Sequence, residues 1–276
     1  MTIAAFKKEI WAHYRRAGRG DMPWRHTADP YRIFVSEVML QQTQVARVME
    51  HYPRFIKRFP NFRALARAGG GEVLAAWQGL GYNRRAIYLK RAAEAVVRDF
   101  GGRLPRDRAA LESLPGIGHG TSGSLMAFAF NEPAVFIETN IRRVFIHFFF
   151  PGRKAVTDGA LERYIERSVD KSRPREWYWA LMDYGAAMAR GGGTADRGNP
   201  NRRSAHYKKQ APFAGSDREL RGKILRWTLA AKKNTMSVQT LSDALAFPRR
   251  RLERVLRALA NEGFIARKGD FLYIKQ

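Results

Sequence analysis

The 276-residue chain carries 50 Lys and Arg against 25 Asp and Glu, a formal charge of +25 with a pI near 11.0, and it has no cysteine. Disulfides, thiolate nucleophiles, zinc–cysteine sites and cysteine-bound iron–sulfur clusters are therefore excluded. No apolar run approaches the ~20 residues of a spanning helix and the first residues lack a signal-peptide core, so a cytoplasmic location is expected. The basic residues are spread along the chain and interleaved with Tyr, Trp and Phe, which makes nucleic acid the leading partner and a membrane surface the second.

Apolar residues at three- and four-residue spacing predict helices over 4–16, 34–51, 64–68, 72–78, 86–99, 109–113, 120–130 and 140–149. Strand-like alternation is almost absent before residue 264, which predicts a packed helical array up to about residue 212. Length alone suggests about two domains at ~150 residues each. A composition break rich in Gly, Arg and Asn sets the boundaries at 1–189 for the helical body, 190–215 for a basic loop or linker, and 216–276 for a second unit. Within that second unit the spacing predicts helices over 217–231, 238–246 and 249–262. Two short strands over 264–275 then turn at Lys268-Gly269-Asp270. This is a winged-helix pattern. Its third helix carries Arg249, Arg250, Arg251, Arg254 and Arg257 and would face DNA, with Lys268 on the wing; a unit that only packs against the body is the alternative.

Two sites in the helical body carry chemistry. Glu37 lies among Val35, Val38, Met39 and Leu40. Apolar surroundings push a carboxyl toward its neutral form, ready to donate a proton, whereas a solvent-facing helix acid is the plainer alternative. Leu114-Pro115-Gly116-Ile117-Gly118 lies between two predicted helices. Its two glycines allow a tight turn whose backbone N–H groups meet a phosphate at a helix N-terminus, a helix-hairpin-helix signature.

The chain resembles the MutY branch of the helix-hairpin-helix DNA glycosylases. The resemblance is carried by Met22-Pro23-Trp24-Arg25, Asp29-Pro30-Tyr31, Ser36-Glu37-Val38-Met39-Leu40-Gln41-Gln42-Thr43, Gly79-Leu80-Gly81-Tyr82, the hairpin, and Asn140-Ile141-Arg142-Arg143-Val144. It covers roughly 1–189. It implies a mainly α, two-lobed fold around a cleft, followed here by the small winged-helix unit. The implied activity is hydrolysis of the N-glycosidic bond of a flipped, mispaired base in double-stranded DNA during base excision repair. Adenine opposite guanine or 8-oxoguanine is the implied target. Thymine or uracil opposite guanine is the alternative, and a non-catalytic, damage-sensing DNA-binding protein is the alternative of another class.

Residue by residue, the resemblance makes Glu37 the acid that protonates the base and Glu138 the carboxylate that stabilises positive charge on the sugar. Asn140 would orient water or sugar. Opposed tasks need opposed environments, and Glu138 beside Thr139, Asn140 and Arg142 is expected in a polar one. Tyr82 would wedge into the stack, Gln41 and Gln42 would fill the gap, Gly116 and Gly118 would grip phosphate, and Arg25, Arg143, Arg250, Arg254 and Lys268 complete the expected DNA contacts.

Four departures from the family pattern stand out. The second acid is Glu138 where the family has Asp. Ala189 stands where the first cluster ligand would be, so no cofactor is expected beyond a monovalent cation at the hairpin. Gly120 holds the pocket position at which bifunctional relatives carry a lysine, which implies a monofunctional hydrolase without lyase activity. The winged-helix unit replaces the Nudix-like domain. A monomer is expected.

Overall fold

A computed structural model describes residues 1–191, 199–231, 235–245 and 247–275. Residues 192–198 of the predicted basic loop, and Ala246 at the end of a predicted helix, lie outside the described residues. The described chain packs as two units interleaved along the sequence, one made of 1–37, 105–113 and 117–209, the other of 38–104, 114–116 and 210–276.

The first unit holds α1 (Ile3–Ala17), the start of α2 (Pro30–Leu40), α7 (Arg108–Glu112), α8 (His119–Phe130), α9 (Thr139–Phe149), α10 (Asp158–Ser168) and α11 (Pro174–Ala189). Phe6 of α1 inserts its ring among Phe145, Phe149 and Trp177, with centroids 5.0, 5.0 and 5.9 Å away. Helices α1, α9 and α11 thereby share one aromatic core. Gly185 permits the close approach of α11 to α9, since a Cβ there would lie 2.5 Å from the Asn140 carbonyl oxygen. Helices α10 and α11 were not foreseen from the spacing.

The second unit holds the last residues of α2, then α3 (Val45–Arg58), α4 (Phe62–Arg67), α5 (Gly70–Trp77) and α6 (Arg84–Asp99), followed by the C-terminal elements. The single helix predicted over 34–51 is broken: α2 stops at Leu40, α3 starts at Val45, and Gln42 between them has φ +57°. The cause is tertiary. The buried Arg85 guanidinium donates to the α2 carbonyls of Val38 and Met39 at 2.9 and 2.7 Å and to the Thr43 hydroxyl at 2.8 Å. A charged donor thus satisfies carbonyls that a continuing helix would have bonded itself. The same guanidinium reaches the carbonyl of Gly81 at 3.0 Å, so one side chain braces both turns.

The C-terminal elements are α12 (Asp217–Ala230), β1 (Thr235–Ser237), α13 (Val238–Leu245), α14 (Arg249–Asn261), β2 (Ile265–Lys268) and β3 (Phe271–Ile274). The three predicted helices and the strand pair are present. A third strand, β1, pairs antiparallel with β3, with Thr235 opposite Tyr273, and gives the order β1-β3-β2. Three residues are too few to show alternation, so this strand escaped the sequence pattern. Glu262, at the end of α14, accepts from Arg221 of α12 at 2.6 Å and pairs with Arg84 of α6 at 2.9 Å, tying these elements to α6.

Candidate active site

Within the first unit, Glu37, Glu138, Asn140 and Gly120 lie on α2, the cap and first turn of α9, and the first turn of α8. Glu37 and Glu138 are both partly buried. Burial pushes the Glu37 carboxyl up to about 7; the Ser124 hydroxyl on α8 and the Arg25 charge oppose this, while the negative charge of Glu138 adds to it. A carboxyl with that value exchanges its proton near neutrality, as a general acid must.

Glu138 caps α9. Its Oε1 accepts from the backbone N–H groups of Asn140 and Ile141 at 2.8 and 3.0 Å, and its Oε2 faces Asn140 Nδ2 at 3.4 Å. Polar partners thus surround a carboxyl that is itself buried. Burial is the first influence on Glu138 too and raises its pKa, opposed by those two amides and then by Arg143 and Arg142. The two acids differ less in hydration than in donors. Glu37 has one hydroxyl, whereas Glu138 has two amides at a positive helix end, which favour its ionised form.

The cap is itself held in place. Asn140 Oδ1 accepts from Arg143 Nη1 at 2.7 Å, and the same nitrogen reaches the Gly185 carbonyl at 2.6 Å. Arg142 forks onto Asp158 at 2.8 and 2.7 Å. Part of the predicted linker packs here as well. Asn199 Oδ1 accepts from Arg143 Nε at 3.2 Å, Asn201 Nδ2 donates to the Thr139 carbonyl at 2.9 Å, and Val156 bridges to Ser204. Ser124, Asn199 and Asn201 were missed by sequence reasoning, because nothing local marks a side chain whose partner is dozens of residues away.

Two arginines assigned to DNA contact are committed inside the first unit. Arg25 forks onto Asp183 at 2.8 Å on both nitrogens, its side chain 5% exposed, and lies 5.2 Å from the Trp179 ring. Burial alone would raise Asp183, but Arg25 and Arg19 hold its carboxyl below the usual range. Arg143 is buried on Asn140, Gly185 and Asn199. Both guanidinium groups are turned inward onto protein acceptors.

In the hairpin, Gly116 has φ +81° and a Cβ there would come within 2.7 Å of Tyr88 Cβ, so only glycine fits. Gly118 caps α8 without a side chain, and its surroundings are open. Gly120 is exposed, and a Cβ there would meet only the Ile137 carbonyl at 3.7 Å.

In the second unit, Gln41 and exposed Gln42 form the turn after α2, and Tyr82, 37% exposed, ends the Gly79-Leu80-Gly81 turn. Arg250 and Lys268 are exposed, while Arg254 shares Asp217 with Arg251, each at 2.8 Å. Among the described residues no helix is long and apolar enough to cross a membrane.

Comparison with known proteins places these residues in context. A family model described as HhH-GPD superfamily base excision DNA repair protein matches residues 35–171. The chain is 34% identical to an adenine DNA glycosylase of Buchnera aphidicola subsp. Baizongia pistaciae, over 68% of this chain and 54% of that protein. It is 31% identical to an adenine DNA glycosylase of Mycobacterium tuberculosis, over 95% of this chain and 90% of that protein. Among solved structures, a thermostable thymine-DNA glycosylase superposes with a TM-score of 0.61 at 29% identity, covering 72% of this chain and 90% of that one. The chain spans only 38% to 54% of the length of several of the curated relatives it matches.

Proposed function

The chain belongs to the HhH-GPD superfamily of base excision DNA repair proteins, and from that premise we propose that it hydrolyses the N-glycosidic bond of a mispaired base turned out of double-stranded DNA, adenine being the target. The observation that carries the reading is the pair of acids: Glu37, with a carboxyl whose proton is exchanged near pH 7, and Glu138, whose carboxylate is gripped by two amides. A stacked base shields the glycosidic carbon, so the nucleotide must leave the duplex before these groups can act. Glu37 then donates its proton to the base and makes it a neutral leaving group. As the bond lengthens, positive charge grows on the sugar, and the Glu138 carboxylate stabilises it from a pre-oriented position. Asn140, fixed by Arg143, presents its amide toward the same acid and orients the attacking water. The water bonds to the sugar carbon and gives its extra proton to the now ionised Glu37, which is thereby recharged and completes the cycle.

Adenine is favoured by the similarity to adenine DNA glycosylases. Thymine opposite guanine is the second reading, favoured by the likeness to the thymine-DNA glycosylase structure. A panel of labelled duplexes pairing A, T, U and hypoxanthine with each partner, 8-oxoguanine included, then treated with alkali, separates them. Abasic sites at A opposite G or 8-oxoguanine are expected; sites at T or U alone would replace the first reading with the second, and none on any duplex would overturn both.

A cysteine-ligated iron–sulfur cluster does not fit this chain, which has no thiolate to hold one. We assign its structural task to the segment from Asn199 to Ala205, which grips the start of α9 through Asn199 and Asn201 and bonds Val156 on both sides, at 2.8 and 2.9 Å.

No amine stands at Gly120, so the product is expected to be intact abasic DNA, cut only after alkali, with no adduct trapped by borohydride. Gly120→Lys tests this: the space around the position admits a side chain next to the residue preceding Glu138. The variant is expected to give a borohydride-trapped adduct and alkali-independent nicking. Trapping by the wild-type protein would overturn the monofunctional reading.

A further inference from the structure

Tyr82 is held by C-terminal residues that the proposed chemistry does not use. The residue is 37% exposed, and its backbone sits at φ +46° immediately after Gly81 at +72°. A bulky residue in the left-handed region is strained and persists only where its surroundings impose it. Those surroundings are cationic. The Arg85 guanidinium lies 5.6 Å from the ring centroid, an arrangement suited to a ring that also receives bases.

The hydroxyl is gripped from the other end of the chain. Gln210 Nε2 donates to it, and Arg218 Nη1 donates at 3.3 Å. Arg218, in the first turn of α12, also closes its own loop, donating to the Ala211 carbonyl at 2.5 Å and lying 6.0 Å from the Phe213 ring. Helix α6 starts two residues after Tyr82, and Glu262 bonds both Arg84 of α6 and Arg221 of α12. The turn bearing Tyr82 and helix α12 are thus joined twice, once through Glu262 and once through the tyrosine hydroxyl.

We propose that Gln210 and Arg218 are positioning residues that fix the Tyr82 ring for insertion between DNA bases, so that the C-terminal segment sets the pose of the aromatic. The inference rests on the reading of this chain as a base-excising protein. An exposed ring free to rotate loses that freedom when it enters the stack; a ring already held by its hydroxyl has lost it beforehand. Replacing the two donors therefore weakens engagement of a distorted site without touching the acids.

The test compares the full-length wild-type protein with Tyr82→Phe, with Gln210→Ala/Arg218→Ala, and with all three changes together. The probe is a duplex carrying 2-aminopurine beside an A:G mispair, read by affinity and by the fluorescence rise on unstacking. Tyr82→Phe keeps the ring and loses only the gripped oxygen. Each variant is expected to bind about 3–10-fold more weakly with a smaller fluorescence rise, and the combined variant to be no worse than either, because all remove one linkage. Arg218→Lys should recover part of the loss.

Losses that multiply would mean that Arg218 meets phosphate directly, and would overturn the proposal, as would an unchanged Tyr82→Phe. If the Ala variants fail to fold, Tyr82→Phe alone still decides. The reading it rests on fails separately: a wild-type protein that releases no base yet shows non-additive variants loses the activity and keeps the clamp.

Discussion

Glu37→Gln is expected to lower base release by at least ~10²-fold while binding of the mispaired duplex stays near the wild-type level. Glutamine keeps the shape of the side chain and removes the proton it would donate. In the wild-type protein the proton leaves Glu37 at about 7. The rate of base release under single-turnover conditions should therefore fall as pH rises through that value, and the residual rate of Glu37→Gln should not follow it. Full activity in the Glu37→Gln protein, or a pH profile unchanged from wild type, would remove Glu37 from the chemistry.

The same shift has a consequence for stability. The folded pKa lies above the ordinary carboxylate value of 4.5, so between 4.5 and about 7 the native state binds the proton more tightly than the unfolded chain. Stability from this group is present below 4.5 and lost as pH rises to about 7. Glu37→Gln carries no such charge and should be more stable than wild type at pH 8, by on the order of 1–3 kcal/mol, with the difference shrinking toward pH 4.5. Urea unfolding at the two pH values measures it. Destabilisation at pH 8 would mean the carboxylate has partners beyond Ser124 and Arg25.

Glu138→Gln is expected to be comparably severe, ~10²–10³-fold in base release, because charge stabilisation at a developing cation depends on a full negative charge in a dry, oriented place. Glutamine still offers an oxygen to the amides of Asn140 and Ile141, so the cap and the fold should survive. Glu138→Ala removes the cap as well and should cost a further ~0.5–2 kcal/mol of stability. Glu138→Asp should keep measurable activity, since a shorter carboxylate also caps a helix and retains the charge. Thermal melts alongside the single-turnover rates separate the two effects. Normal turnover by a folded Glu138→Gln protein would show that the charge on the sugar is met by another group.

Much of this protein was determined along the chain itself. The helical periodicity, the apolar stretch around Glu37, the glycine hairpin and the +25 charge are local or additive properties, and they led to the helical architecture and the family without any contact being known. Tertiary structure decided what depends on partners distant in sequence. Arg85 ends α2 at Leu40, where periodicity runs on to residue 51, because a buried guanidinium offers more to two carbonyls than another helical turn does.

Arg25 and Arg143 read like any other basic residue, yet Asp183 lies 158 positions from Arg25, and the carbonyl of Gly185 lies 42 from Arg143. Only the fold brings those acceptors close enough to withdraw the two charges from the surface. The burial of Glu138 followed the same rule: its sequence neighbours Thr139 and Asn140 announced polar partners but not burial, which depends on what packs around the start of α9. Residue types and spacing therefore determined which groups were available for chemistry. Burial and pairing, which are properties of neighbours in space, decided which stayed charged, which kept a proton and which became supports.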